Sequence, residues 1–277
     1  MSNPIAGKHI ILGVTGSIAA YKAAILASKL TQAGAKVDCI LTESATQFIN
    51  PLTFQTVTGR KAYLDQDLWA SEGHVVHIGL AHEADLVLIA PVSANTLAKL
   101  AHGIADNLLS VTALAATCPL VLAPAMDAGM YAHPATQQNV QMLKERGAEF
   151  IGPRPGHLAS GLVGLGRFAE PETILSRVRF LLGKNGRLAG KRILLTAGPT
   201  QEALDPVRYI SNRSSGKQGY AIAQALLDEG ATVTLVSGPT NLPLPEGAQV
   251  IEVTSAAEMK DAVMTYLKDK DAFISVA

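Results

Sequence analysis

The residues in this chain that could do chemistry are small and polar, and they gather just past apolar runs. Gly16 and Ser17 follow the run at 9–14, and Thr42, Glu43 and Ser44 follow the one at 36–41. The run at 86–90 gives way to Pro91-Val92-Ser93-Ala94-Asn95-Thr96, and the run at 120–123 ends in Pro124-Ala125-Met126-Asp127-Ala128-Gly129-Met130-Tyr131. A strand end that opens through a tight turn onto a helix N-terminus leaves backbone N–H groups free to meet an anion or a polar ring. The spacing Gly13-x-x-Gly16 falls short of the full dinucleotide fingerprint and is weak alone. A plain strand–loop–helix unit without a ligand remains the bland alternative at each of these places.

The elements that must position these residues are read from pattern. The unbroken apolar run at 86–90 suits a parallel strand covered on both faces. Pro91 is expected to stop it, and Ser93 to cap a helix from about Ala94 with Leu97, Leu100, Ala101 and Ile104 on one face. Residues 9–14, 36–41 and 120–123 are further strands, with 150–151 a short one. Helices are expected over 18–32, ending at Gly34, over 133–146, stopped by Gly147, and over 170–182. Residues 48–67 read as short helices and loops. Residues 69–77 are less regular and carry His74 and His77. Four glycines and two prolines in 153–168 argue against a regular element and for a lid or a disordered loop. Residues 183–186 look like a linker. A second strand–turn–helix–strand unit then starts: strand 192–196, turn 198–200, helix 216–229, strand 232–236. Gly34-Ala35-Lys36-Val37 and Gly230-Ala231-Thr232-Val233 close the two first helices alike. The fold class is therefore α/β, with two doubly wound, Rossmann-like domains of mainly parallel sheets: residues 1–188, and 189–277, the second incomplete.

Bulk properties exclude several classes. Hydrophobic content is 48% and charged content 17%, which supplies a large core and argues against disorder. Lys plus Arg number 23, as do Asp plus Glu, so no footprint for nucleic acid or an acidic membrane is present. Cys39 and Cys118 sit in or beside expected buried strands, and neither a disulfide framework nor a metal site is indicated. No signal peptide or membrane span is read, and the expected location is cytoplasmic.

Several motifs coincide in order. Gly16-Ser17-Ile18-Ala19-Ala20-Tyr21-Lys22, Pro91-Val92-Ser93-Ala94-Asn95-Thr96, Pro124 to Tyr131, and Ser160-Gly161-Leu162-Val163-Gly164-Leu165-Gly166-Arg167 resemble the flavin-containing cysteine decarboxylases. Thr196-Ala197-Gly198-Pro199-Thr200, Asp205-Pro206-Val207-Arg208 and Ile210-Ser211-Asn212-Arg213-Ser214-Ser215-Gly216 resemble phosphopantothenate–cysteine ligases. The order resembles the bifunctional phosphopantothenoylcysteine decarboxylase / phosphopantothenate–cysteine ligase family of bacterial coenzyme A synthesis.

The resemblance implies FMN held by Gly16, Ser17, Ile18, Thr42, Ser44, Ser93, Ala94, Asn95, Thr96 and Ala125. It implies His77 as the catalytic histidine, with His82, His102, His133 and His157 left as surface or structural. It implies phosphopantothenoylcysteine as substrate, near Asp127 and Met130, and a homo-oligomer built from trimers. In the implied reaction the substrate thiol is oxidised to a thioaldehyde, CO₂ leaves, and the enethiolate is reduced again, giving phosphopantetheine. In the second half Asn212 matches a residue of the acyl-cytidylate step, and Ser275, Val276 and Ala277 match the start of the CTP loop, with Mg²⁺ alongside CTP. The family's later ligase residues have no counterpart among these 277, so this chain is expected not to ligate.

Two positions depart from the family pattern. Asp127 stands where Asn is usual, and an ionised carboxylate only accepts hydrogen bonds. Beside a substrate carboxylate its pKa is expected to rise. Ser160 stands where a Cys commonly serves as proton donor for the reductive half; relatives lacking that Cys stop at the enethiol of a peptide. Alternatives are thus an oxidative peptidyl-cysteine decarboxylase and a non-catalytic flavin-binding regulatory subunit. An NAD(P)-dependent dehydrogenase, resting on Gly13-x-x-Gly16 alone, is the alternative from another enzyme class.

Overall fold

The computed structural model describes residues 3–69 and 75–277, so His74 lies outside the described residues. The chain divides into two compact units, Ile5–Leu175 and Ser176–Ala277, the latter with Asn3 and Pro4.

The first unit is built on a six-stranded sheet, all parallel, in the order β3-β2-β1-β4-β5-β6. Its strands are β1 (His9–Val14), β2 (Lys36–Leu41), β3 (Ala62–Tyr63), β4 (Leu86–Val92), β5 (Leu120–Pro124) and β6 (Glu149–Phe150). Every residue of β1 and β4 is buried, because helices cover both faces. Register runs from His9↔Lys36 to Val14↔Leu41 and sets the C-terminal ends of β1 and β2 level. Helix α1 (Ala20–Gln32) buries Ala20, Ala23, Leu26, Ala27 and Leu30, an i, i+3, i+4, i+7 stripe, and Gly34 in the left-handed region (φ 93°) turns the chain into β2. Full burial of side chains such as Leu12, Leu26 and Ile89 contributes about 1.5–3 kcal/mol each.

The other helices of this unit are α2 (Glu43–Thr46), α3 (Pro51–Thr58), α4 (Val76–Glu83), α5 (Ala94–His102), α6 (Leu108–Ala115), α7 (Ala128–Ala132), α8 (Pro134–Glu145) and α9 (Pro171–Gly183), within which the division between units falls. At the N-terminal edge of the sheet the Asp38 carboxylate is pinned by Arg60 (Nε 2.7 Å, Nη2 2.8 Å) and by His9 Nε2 at 2.6 Å. Burial pushes the Asp38 carboxyl up, but these partners more than offset it and hold the group below the usual carboxylate range.

Three sequence expectations are corrected here. Pro91 does not stop β4: the strand runs on to Val92 across a register shift between Ile89 and Val92, which accommodates the missing N–H. Residues 153–168 are not irregular. They form an antiparallel hairpin, β7 (Arg154–His157) with β8 (Val163–Arg167). The glycines that argued against regularity are there for close approach: a Cβ on Gly166 would run into the Met126 carbonyl, and one on Gly164 would lie 2.6 Å from Ala128 Cβ. Ile104 is exposed, because Gly103 (φ 69°) has already ended α5.

The second unit holds a four-stranded parallel sheet, β9 (Arg192–Ala197), β12 (Thr232–Ser237), β13 (Gln249–Glu252) and β14 (Ala272–Ile274), in the order β13-β12-β9-β14. An antiparallel pair, β10 (Gln201–Ala203) and β11 (Tyr209–Ser211), precedes α10 (Lys217–Asp228), and α11 (Ala256–Tyr266) precedes β14. Residues 183–186 form a packed turn: Gly186 has no room for a Cβ, which would sit 2.5 Å from the Glu229 carbonyl carbon, and Leu188 N donates to Glu229 O at 2.7 Å.

Candidate functional site

Parallel strands deliver their C-terminal ends to one edge of the sheet, and the small polar residues meet there. Thr15, 1% exposed, ties the turn after β1 to the end of β4: its Oγ1 donates to Pro91 O (2.9 Å) and accepts from Ser93 N (2.9 Å). Ser93 in turn caps α5, accepting from Thr96 N at 3.2 Å. On the other side Thr42 N donates to Val14 O (3.1 Å), and Gly16 approaches Ser44 so closely that a Cβ would lie 2.5 Å from Ser44 Cβ. Ala125 N donates to Val92 O (3.2 Å). The sequence-marked set Gly16, Ser17, Thr42, Ser44, Ser93, Ala94, Thr96 and Ala125 is thereby gathered at neighbouring strand ends, with Ile18 and Asn95 exposed at the rim. Among the described residues, the backbone N–H groups of Gly16, Ser17 and Ile18 have no partner. A turn of free donors that only glycine can enter fits the phosphate and ring edges of a flavin.

The hairpin β7–β8 folds over this edge. Met126 N donates to Gly166 O (3.1 Å), and at the hairpin's tip Ser160 Oγ donates to Asp127 Oδ2 at 2.7 Å. Asp127 also caps α7, its Oδ1 accepting from Gly129 N at 2.9 Å. The Ser160 hydrogen bond, then the Gly129 N–H, hold the Asp127 carboxyl below the usual range. In the free chain this is opposite to the rise expected beside a substrate carboxylate: the group is solvated and meets two donors and no anion.

Between α1 and the hairpin lies an open cleft of about 350 Å³, lined by Ser17, Ile18, Tyr21 and Lys22 on one side and by Asp127, His157, Ser160 and Arg167 among others on the other. Two of its lining residues share the exposed Glu170 carboxylate, which accepts from Lys22 Nζ (3.0 and 2.9 Å) and from Arg167 Nη2 (2.6 Å). Met130 is exposed on α7, outside the residues that line the cleft.

His77 is not brought to this cleft. It sits in the first turn of α4, and its Nδ1 is buried with no hydrogen-bond partner. In the second unit Asn212 Oδ1 accepts from Ser214 N (2.8 Å), and Val276 N and Ala277 N donate to Thr196 Oγ1 (3.1 and 3.3 Å), with Ser275 Oγ 3.5 Å from the same hydroxyl. Sequence reasoning missed Thr15, whose signal is a hydroxyl directly after an all-apolar strand. It also left His157 as surface or structural, and passed over the pairing of Lys22 and Arg167 through Glu170, which joins residues far apart in sequence.

Comparison with known proteins bears on both units. Residues 1–183 match the Flavoprotein family, and residues 188–277 match the DNA/pantothenate metabolism flavoprotein C-terminal domain. A coenzyme A biosynthesis bifunctional protein CoaBC of Bacillus subtilis (strain 168) is 47% identical over 273 residues, covering 98% of this chain and 67% of the relative. The protein of that name from Vibrio vulnificus (strain YJ016) is 48% identical over 277 residues, covering 99% and 68%. The chain thus spans about two thirds of the length of these relatives. Among solved structures, a PPC decarboxylase mutant complexed with pantothenoylaminoethenethiol aligns with TM-score 0.57 at 38% identity, over 62% of this chain and 97% of the other. The FMN-dependent cysteine decarboxylase SpaF aligns with TM-score 0.56 at 33% identity, over 64% and 97%.

Proposed function

The chain belongs to the flavoprotein family that includes the coenzyme A biosynthesis bifunctional proteins, and from that membership we propose that its first unit carries out FMN-dependent decarboxylation of phosphopantothenoylcysteine. The observation that carries this reading is the strand-end edge itself. A glycine-only turn with free N–H groups lies beside a cleft whose far wall is a hairpin fastened by Ser160 to Asp127.

FMN, when bound, supplies the two-electron chemistry at the substrate's cysteine. The chain's own residues bind, orient and move protons. Gly16, Ser17 and Ile18 offer backbone donors, and Thr42, Ser44, Ser93 to Thr96 and Ala125 complete the cradle. Asp127 and Met130 flank the substrate's cysteine end, and Ser160 stands over it as a hydroxyl donor. His77 acts as the base on a substrate held by another copy of the chain, since it does not line the cleft of its own. In this reading the protein is a homo-oligomer built from trimers, which the separation of His77 from the cleft supports. Residues 1–188 form the decarboxylase domain and 189–277 the N-terminal part of the ligase domain. Asn212, Ser275, Val276 and Ala277 serve CTP and Mg²⁺ chemistry only in a complete ligase. No helix among the described residues is long and apolar enough to cross a membrane, and we place the protein in the cytoplasm.

The test is turnover of phosphopantothenoylcysteine by the purified yellow protein, read by mass. Loss of CO₂ alone supports the full reaction. Loss of CO₂ plus two hydrogens means that the oxidative half stands alone, and a colourless protein without turnover overturns the reading.

A further inference from the structure

The ladder between β1 and β4 runs from Ile10↔Leu86 to Gly13↔Ile89 and then meets Pro91, which has no N–H to give. In a parallel ladder, a residue that donates to a carbonyl of the next strand accepts, on its own carbonyl, the N–H two residues further along. Thr15 keeps the first half of this pattern, its N donating to Pro91 O at 3.2 Å. The second half passes to its side chain: Ser93 N donates to Thr15 Oγ1 at 2.9 Å, and the same hydroxyl gives its proton to Pro91 O at 2.9 Å. A side-chain oxygen thus stands in for a backbone carbonyl, and the chain turns away at Gly16 while β1 and β4 stay clasped. At the neighbouring junction a backbone bond, Thr42 N to Val14 O at 3.1 Å, makes the tie. The clasp joins the two sides of the cradle. Gly16, Ser17 and Ile18, with their free N–H groups, follow Thr15 directly. Ser93 accepts from Thr96 N (3.2 Å) and its hydroxyl lies 3.2 Å from Thr96 Oγ1, so the place of Ser93 sets that of the whole 93–96 turn. Thr15 itself is 1% exposed and does not line the cleft.

We propose that Thr15 is the positioning residue of the flavin cradle: its hydroxyl holds the 16–18 turn and the 93–96 turn at the one spacing that a ligand with a phosphate at one end and a ring at the other bridges. This rests on the flavin part of the reading above. FMN carries phosphate and ring on one short chain, so each end holds the other near its own turn only while the two turns keep a matching separation. A cradle set before the ligand arrives spends none of the binding free energy on ordering itself. Without the hydroxyl, Ser93 N–H has no acceptor at residue 15, and a buried donor left so moves to find one. The 93–96 turn then shifts against the 16–18 turn. Either turn still meets its own end of the ligand, but the two no longer do so together.

The experiment titrates the flavin-free full chain with FMN and with riboflavin, which lacks the phosphate, and follows the quenching of flavin fluorescence. The preference for FMN, taken as the ratio of the two dissociation constants, measures the bridging, and a general loss of folded protein divides out. Thr15→Val keeps the shape of the side chain and removes the hydroxyl, so the preference should fall roughly tenfold to a hundredfold. Thr15→Ser keeps the hydroxyl and should keep the preference, although it gives up a buried methyl group and melts lower. Where Thr15→Val does not fold, Thr15→Cys takes its place: a thiol of similar size bonds only weakly, and the preference should fall in the same direction. A preference unchanged in the hydroxyl-free variant, or lowered as much by Thr15→Ser, makes Thr15 an ordinary buried residue; it overturns the proposal and leaves the decarboxylase reading intact. An unmodified chain that binds neither flavin overturns both.

Discussion

The carboxylate of Asp127 caps α7 and faces the tip of the hairpin. Its two donors, Ser160 Oγ and Gly129 N, favour the ionised form, so it carries its charge through the neutral range. The sign follows: a depressed folded-state pKa adds stability above the ordinary carboxylate value, and that increment is lost as pH falls through the lowered one. Ser160→Ala removes the larger cause, and the Asp127 carboxyl should move back up toward the ordinary carboxylate range in a carbon-13 NMR titration. An unmoved titration means that the 2.7 Å bond does not persist in solution. Asp127→Asn should raise kcat/KM for phosphopantothenoylcysteine severalfold, with no limb created or removed between about pH 6 and 8, since an amide neither titrates there nor repels a carboxylate. Should that variant lose turnover at every pH, Asp127 works as an ionised base, and its place beside the substrate carboxylate is wrong.

At the scale of elements, legibility tracked how local each cause is. β1 and β2 were readable to the residue, because unbroken apolar runs flanked by turn residues admit one reading. The Ser93 cap was readable for the same reason. The hairpin was not. Its strands carry glycine where strands usually carry bulk, and the reason is a tertiary neighbour, the Met126–Ala128 turn, that no local pattern reveals. The strand-end residues of the site were legible by position, whereas the Glu170 triad depends on contacts 148 residues apart and was not. Gly166→Ala tests the first of these points. The methyl group collides with the Met126 carbonyl, so the hairpin should lift, which a gain in proteolysis at residues 157–163 would report while the sheet's melting stays close to that of the parent. The opposite edge of the sheet makes a separate prediction. Arg60→Ala leaves Asp38, whose side chain is 3% exposed, with His9 alone. The loss should be about 2–3 kcal/mol, below the full cost of an orphaned buried charge because Arg60 is itself partly solvated. Since Arg60 helps to depress the Asp38 pKa, its removal should also raise the pH at which acid unfolding begins. An unchanged acid midpoint would mean that His9 suffices.

For the whole molecule, His77 and the cleft lie apart within one copy of the chain. His77 stands on α4, with a buried, unpartnered Nδ1, while the cleft is framed by α1, the Asp127 turn and the hairpin. The first unit also leaves Ile18, Tyr21, Phe48, Leu52, Trp69, Val75, Ile78 and Leu114 exposed, far more apolar surface than isolated residues on a monomer need. The proposed trimer would cover such surface and bring one copy's histidine to the next copy's cleft, a heterologous contact whose rotation closes into a ring. Complementation distinguishes this from a site within one chain. His77→Asn should retain flavin and lose decarboxylation. Ser17→Trp should fill the cleft with an indole, lose decarboxylation and leave His77 untouched. Each variant alone is inactive. Co-expressed with two different tags and purified through both, they form mixed rings, and in a trimer containing both variants about one site in three joins an intact cleft to an intact histidine. Activity should therefore return to about a third of the parent per mixed trimer, with light scattering giving the mass of a trimer or a multiple of it. Mixed oligomers that stay inactive would place the histidine and the cleft of each site on the same chain, and a monodisperse monomer that keeps its flavin and its activity would remove the need for a second copy altogether.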